Sequence, residues 1–309
     1  MTRFIAEIGS NHNRDLQRAL ALLEGSARAG AQAVKLQVFR VEDLFAPEVL
    51  AARADLRARS AWEFPLELLE PLAGRCRALD LELGGAAFGL WAIDALEPYV
   101  SFFKIASYEL LWHELIAHAA GTGRPLVIST GMASLEEIDA AVTAARSAGR
   151  HDLRLLHCVS GYPTPPEQCN LAAIAALHER YGCPVGWSDH SARADVVGRA
   201  VRRWGASDVE LHVDLDGAGH EAGEHNWTPA TLTALIGDLA QPDRIVGESA
   251  ATAAVGRRQP RADDLPADGD GIKRPMPIEQ ADVAWRADPS DGLRPLLATR
   301  AALHEHSTV

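Results

Sequence analysis

The chain has 309 residues, 47% of them hydrophobic, which is enough for a sizeable core in one large domain or two ordinary ones. A formal charge of −12 with no basic run excludes a general nucleic-acid binder, and an anionic substrate would need local lysines working against the overall field. No apolar run approaches the roughly 20 residues of a membrane span, Glu7 cuts the start too short for a signal peptide, and the four cysteines form no CxxC pair, so a reduced, cytoplasmic protein is expected.

Residues 4–8 read as a strand and end in the polar turn Gly9-Ser-Asn-His-Asn13. Residues 16–29 have helical spacing through Leu16, Leu20, Leu23 and Ala27, and stop at Gly30. Residues 33–37 form a second strand, so the chain opens with a strand–helix–strand unit. The rhythm continues: helix 66–79 precedes strand 81–88, short helix 93–96 precedes strand 102–106, and helix 113–121 precedes strand 126–129. Ser134-Leu-Glu-Glu137 opens the next helix with the spacing of a capping box. Strand 153–157, helix 171–181, strand 184–188, helix 191–206, strand 209–213 and a closing helix 229–240 follow.

About eight strands alternating with helices in roughly 240 residues predict an α/β fold, a (β/α)8 TIM barrel over residues 1–247. A doubly wound open sheet competes, but no Gly-x-Gly-x-x-Gly occupies the first turn. Residues 248–309 are rich in Ala, Arg, Asp, Gly and Pro, and read as an irregular linker or tail with one short helix near 293–304. A barrel places its working residues at the carboxyl ends of its strands. The polar residues gather there: Glu7 and Asn11 to Asn13, Lys35 and Gln37, Lys104, Ser107 and Glu109, Ser129 and Thr130, His157, Ser160 and Tyr162, Asp189 and His190, Glu210 and His212, then His220, Glu221, Glu224 and His225.

Lys35 and Lys104 lie in apolar strands, where an ammonium group is costly unless it faces an anion. Two readings stand: salt bridges to Glu7 or Glu109, or a site for a doubly or triply anionic ligand. Ser129-Thr-Gly131 before a capped helix offers hydroxyls and N–H groups suited to phosphate, with Ser107 and Lys104 on the preceding strand to complete a cradle; an ordinary strand-to-helix turn is the plainer reading. Glu7, Glu109 and Glu210 are candidates for acid–base work or for orienting the lysines and histidines. Gly186-Trp-Ser-Asp-His190 and Val209-Glu-Leu-His212 put His190 and His212 at one edge of neighbouring parallel strands, where neutral imidazoles could hold a divalent transition metal. Asp189 reads as a group supporting His190, and Cys158 as a packed small hydrophobe.

Six stretches appear together and in order: residues 5–13 (Ile-Ala-Glu-Ile-Gly-Ser-Asn-His-Asn), 33–37 (Ala-Val-Lys-Leu-Gln), 103–107 (Phe-Lys-Ile-Ala-Ser), 127–132 (Val-Ile-Ser-Thr-Gly-Met), 156–163 (Leu-His-Cys-Val-Ser-Gly-Tyr-Pro) and 184–190 (Pro-Val-Gly-Trp-Ser-Asp-His). Over roughly residues 3–240 the chain resembles the sialic acid synthase (N-acetylneuraminate synthase) family. The resemblance implies condensation of phosphoenolpyruvate with the aldehyde of an N-acylated sugar, giving a nonulosonic acid and phosphate by C–O cleavage. It implies a divalent metal, usually Mn2+, on His190 and His212, polarising the aldehyde oxygen. Lys35, Lys104, Ser107, Ser129, Ser160 and Tyr162 would line the phosphoenolpyruvate site. Glu7, Glu109 and Lys35 would serve at the reacting centre, with Glu109 handling water. Asn11, Glu210 and Glu224 are the acceptor candidates. The partners expected are small molecules, with a homodimer implied and neither nucleic acid nor membrane.

The chain also departs from the family pattern. Strand eight reads Glu210-Leu-His-Val213 where Glu-Lys-His-Phe is usual, and the loop reads Leu215-Asp-Gly217 and Ala222-Gly-Glu-His225 in place of Leu-Asp-Arg and Gly-Pro-Asp-His. No antifreeze-like domain is recognisable in residues 248–309. The donor half of the chemistry therefore reads as intact and the acceptor half as altered. The alternatives are another metal-dependent aldolase or lyase on the same barrel, or a non-catalytic barrel that binds a phosphorylated ligand.

Overall fold

The computed structural model describes residues 2–149 and 152–241. The extension expected at 248–309, with its short helix, lies outside the described residues. Eight parallel strands close on themselves in sequence order: β1 (Arg3–Gly9), β2 (Ala33–Val38), β3 (Glu82–Ala87), β4 (Phe102–Ile105), β5 (Leu126–Ser129), β6 (Leu153–Cys158), β7 (Val185–Asp189) and β8 (Asp208–His212). The predicted (β/α)8 barrel is therefore the observed fold.

The principal outer helices are α1 (Leu16–Arg28), α5 (Leu69–Ala78), α6 (Leu90–Leu96), α7 (His113–Gly121), α8 (Leu135–Ser147), α9 (Ala173–Tyr181), α10 (Ala194–Arg202) and α11 (Pro229–Leu239). Asp15 caps α1 by accepting from Arg18 N at 2.6 Å. The expected capping box opens α8: Glu137 N donates to Ser134 Oγ at 3.4 Å and Ser134 N to Glu137 Oε2 at 2.7 Å. α10 is shorter than the predicted 191–206, because Ser191 is engaged by Asp189 at one end and Gly205 stands at φ +70 beyond the other.

Between β2 and α5 the chain makes three short helices, α2 (Val41–Leu44), α3 (Pro47–Ala52) and α4 (Ala54–Arg57), which sequence reasoning left unassigned. Helices this short show no resolvable period. They cover a cluster of Phe39, Val41, Phe45, Leu56, Ala86 and Phe88.

Inward positions recur every second residue along a strand. Ile5, Ala33, Phe102, Val127 and Leu156 form an apolar plug inside the barrel. A Cβ on Gly84 would overlap the Phe102 ring, so the small residue makes room for the large one. Beneath the plug, Arg3 Nε and Arg154 Nη1 reach the buried Asp208 carboxylate at 2.6 and 2.8 Å. Two residues further along the same strands come Glu7, Lys35, Lys104, Ser129 and Cys158, so the interior turns polar above the plug. Among the described residues no helix is long and apolar enough to cross a membrane.

Candidate active site

The polar layer is built around a set of buried charges. Register pairs Glu7 with Lys35 on β2 and with His212 on β8. Lys35 Nζ contacts Glu7 Oε2 and stands 3.8 Å from Glu210 Oε1, while Lys104 Nζ stands 2.9 Å from the same oxygen. Ser188 Oγ donates to that oxygen at 3.2 Å. Lys35 thus meets the anticipated Glu7, and Lys104 is paired with Glu210. Glu210, read from the sequence both as a group that could orient the lysines and as an acceptor candidate, occupies the place of a counter-charge between the lysines. Burial draws the Lys35 ammonium down to about 7, against the opposing pull of Glu210. Burial works against the Glu210 carboxylate as well, but the Lys104 and Lys35 charges outweigh it and hold the group below its usual range.

Beside the lysines, hydroxyls converge on one glycine. Gly131 N donates to Ser107 Oγ at 3.0 Å, and Ser107 Oγ lies 3.0 Å from Cys158 Sγ. A Cβ on Gly131 would stand 2.8 Å from both Ser107 Oγ and Ser160 Oγ. Ser129 Oγ, at the end of β5, is buried with no hydrogen-bond partner among the described residues. Lys35 and Lys104 thus share Glu210, Ser107 and Ser160 flank Gly131, Ser129 ends β5, and Glu109 is fully buried in the turn after β4. Cys158 is more than a packed hydrophobe, since its thiol meets the Ser107 hydroxyl; burial raises that thiol above its ordinary range.

The histidines form a second group. His190 Nδ1 is 2.7 Å from Val159 O, which leaves Nε2 available, and the His190 and His212 ring centroids are 5.3 Å apart. Tyr162, 47% exposed, lies against His190 at 4.1 Å between centroids and near His212 at 6.0 Å. His225, placed at this end of the barrel by the sequence but given no role there, joins them 5.1 Å from His212 and 5.1 Å from Tyr162. Burial lowers His190 to about 4 and His212 well below its ordinary value. Both are neutral at pH 7, the state in which imidazole binds a metal. Among the described residues no set of three or more His, Cys, Asp or Glu side chains is arranged to hold a metal. His212 Nδ1 is buried without a hydrogen-bond partner among them. The pair fits a divalent cation whose remaining positions are left to substrate and water.

Asp189 does not support His190 directly. It accepts from Trp187 Nε1 at 3.0 Å, Ser191 Oγ at 2.6 Å, Ala192 N at 3.0 Å and Trp227 Nε1 at 3.1 Å, and so ties the β7 turn to the loop after β8. Asn11 is also a tether: Nδ2 donates to Val213 O at 3.0 Å, and Oδ1 accepts from Glu221 N at 2.8 Å. Glu224 is exposed, and the carboxylate which this loop directs inward is Glu221. The sequence signal for Glu221 was only its position after β8.

A closed barrel with paired lysines, clustered hydroxyls and neutral imidazoles at the carboxyl ends of its strands is the class of site that acts on a small anionic ligand. The chain belongs to the NeuB family, whose model matches residues 22–251. It is similar to the spore coat polysaccharide biosynthesis protein SpsE of Bacillus subtilis, 34% identical over 229 residues, covering 70% of this chain and 61% of that protein. It is likewise similar to the N,N'-diacetyllegionaminic acid synthase of Campylobacter jejuni, 31% identical over 267 residues, covering 80% of this chain and 78% of that one. The crystal structure of an N-acetylneuraminic acid synthetase from Leptospira borgpetersenii, in complex with citrate, overlays with a TM-score of 0.71 at 29% identity, covering 85% of this chain and 88% of that one.

Proposed function

We propose that this chain condenses phosphoenolpyruvate with the open-chain aldehyde of an N-acylated sugar, giving a nonulosonate-type 2-keto acid and inorganic phosphate. The observation that carries the reading is the pair of buried lysines, Lys35 and Lys104, sharing Glu210. Two ammonium groups at that depth suit a ligand bearing both a carboxylate and a phosphate, and the hydroxyls of Ser107, Ser129 and Ser160 suit phosphate oxygens. The names of its relatives, synthases of N,N'-diacetyllegionaminic acid and N-acetylneuraminic acid, support the same class.

In this reading the lysines and hydroxyls hold phosphoenolpyruvate so that its carbon 3 faces the aldehyde carbon. A carbon–carbon bond forms between them, and the former aldehyde oxygen takes up a proton. Water adds to carbon 2, losing a proton to a carboxylate, for which Glu109 is the candidate. The bond between carbon 2 and the bridging oxygen then breaks, so phosphate leaves with that oxygen and the keto group keeps the oxygen of water. Glu7 contacts the Lys35 ammonium and is paired in register with His212. His190 and His212 would hold a divalent cation, manganese in our reading, which when bound supplies Lewis-acid polarisation of the aldehyde oxygen.

The test pairs calorimetric titration with phosphoenolpyruvate, with and without manganese, and phosphate release across a panel of aldoses including N-acetylmannosamine. We expect binding that Lys104→Ala abolishes, and release that requires an aldose and is lost in His190→Ala. No binding of phosphoenolpyruvate, or binding without release from any aldose, would sink the reading.

A further inference from the structure

The loop between β8 and α11 carries a carboxylate that the condensation chemistry leaves unused. Glu221 reaches back over β1, where its Oε2 accepts from Ser10 N at 2.8 Å. A Cβ on Gly9 would overlap this carboxylate and lie 3.5 Å from Gln37 Nε2. Gly9 N itself donates to Glu7 Oε1 at 2.6 Å. Glu221, Gln37 and Glu7 therefore meet around one glycine at the mouth of the barrel, with Lys35 and Tyr162 within the field of the Glu221 charge. Among the described residues, Ser10 N–H is the only hydrogen bond that this carboxylate receives.

The backbone beneath Glu221 is fixed from several sides. Its own N–H donates to Asn11 Oδ1 at 2.8 Å, and His220 N donates to Asn13 Oδ1 at 2.9 Å. The His220 ring stacks on Trp62 with centroids 6.1 Å apart. Arg18 Nη2 grips Asp214 and Asp216 of the same loop, each at 2.7 Å. A partly buried carboxylate held this way, with one oxygen on Ser10 and the other open, is organised in advance to accept from a donor on a ligand. Ionised phosphoenolpyruvate has no hydroxyl or N–H to offer and is repelled by a carboxylate. A sugar is neutral and rich in donors.

We propose that Glu221 is a specificity-determining residue for the acceptor, its open oxygen accepting a hydrogen bond from a hydroxyl or N-acyl N–H of the sugar, with the Gln37 amide as companion. The assignment rests on the condensation proposed above. It locates acceptor choice in the part of the chain that departs from the family pattern, and in Glu221 in place of the exposed Glu224.

The test compares wild type, Glu221→Gln and Glu221→Ala by steady-state kinetics on N-acetylmannosamine, N-acetylglucosamine and mannose, with a melting temperature for each protein. Glutamine keeps an oxygen for Ser10 N and puts an amide donor where the open oxygen was. The acceptor KM should rise about 10- to 100-fold in Glu221→Gln, the loss of one hydrogen bond to a charged group. The phosphoenolpyruvate KM should stay within about twofold, the melting temperature should hold, and the order of preference among the sugars should change. An unchanged acceptor KM in both variants would overturn the assignment alone. Equal rises in both KM values would also overturn it, leaving Glu221 as a loop tether. Wild-type protein that releases no phosphate with any aldose would remove the condensation, and this assignment with it.

Discussion

Glu210 Oε1 stands 2.9 Å from Lys104 Nζ and 3.8 Å from Lys35 Nζ, so one carboxylate oxygen serves two ammonium groups from which water is excluded. Breaking a buried ion pair by removing one partner leaves an uncompensated charge. Glu210→Gln should therefore cost about 3–5 kcal/mol of stability, read from urea unfolding. Lys35 makes a pH-dependent prediction. Its folded value of about 7 lies below 10.5, the ordinary lysine value, with burial the main cause. Above about 7 the group loses its proton and its pull on anions, so phosphoenolpyruvate affinity should weaken as pH rises from 6 to 9. Lys35→Arg should flatten that profile, because a guanidinium stays charged. Stability runs the other way: the unfolded chain binds more protons between about 7 and 10.5, so Lys35 adds stability as pH rises through that window. The lysines were legible in the sequence because charged residues in apolar strands stand out. Glu210 was legible only as one of three carboxylates that could orient them; that it serves both lysines was not, because it lies 106 residues from Lys104 and only barrel closure joins them.

At the scale of elements, local signals performed well where they were long enough. The Ser134 capping box formed as its spacing predicts, and Ser134→Ala should cost about 1 kcal/mol, a drop of about 2–4 °C in melting temperature. Asp189 shows what local reading misses. It looked like an attendant of His190, but its hydrogen bonds join the β7 turn to Trp227 on the loop after β8. Asp189→Ala strands several buried donors at once and should destabilise the protein by more than about 3 kcal/mol, visible in thermal unfolding. The short helices α2 to α4 were not legible, since their residues are held by the apolar cluster that they cover more than by any helical period of their own.

For the whole molecule, buried neutral histidines set the response to acid. Burial lowers His12, His157 and His190 each to about 4, against 6.5 for an ordinary histidine. The unfolded chain then binds more protons across that window, so each group contributes stability that is full above 6.5 and is lost as pH falls toward 4. The loss is on the order of 3 kcal/mol per histidine, and the melting temperature should fall steeply across that range, with His157→Gln blunting the fall. What the sequence by itself determined was the strand–helix alternation, the barrel, and the gathering of polar residues at the carboxyl ends of the strands. Those follow from periods of two and 3.6 residues, which are local properties of the chain. Only the tertiary structure decided which polar groups meet. Closure sets β8 beside β1, so Glu7 faces His212 and Ser10 meets Glu221, 211 residues away. Such contacts depend on register and loop path, and no local pattern encodes either.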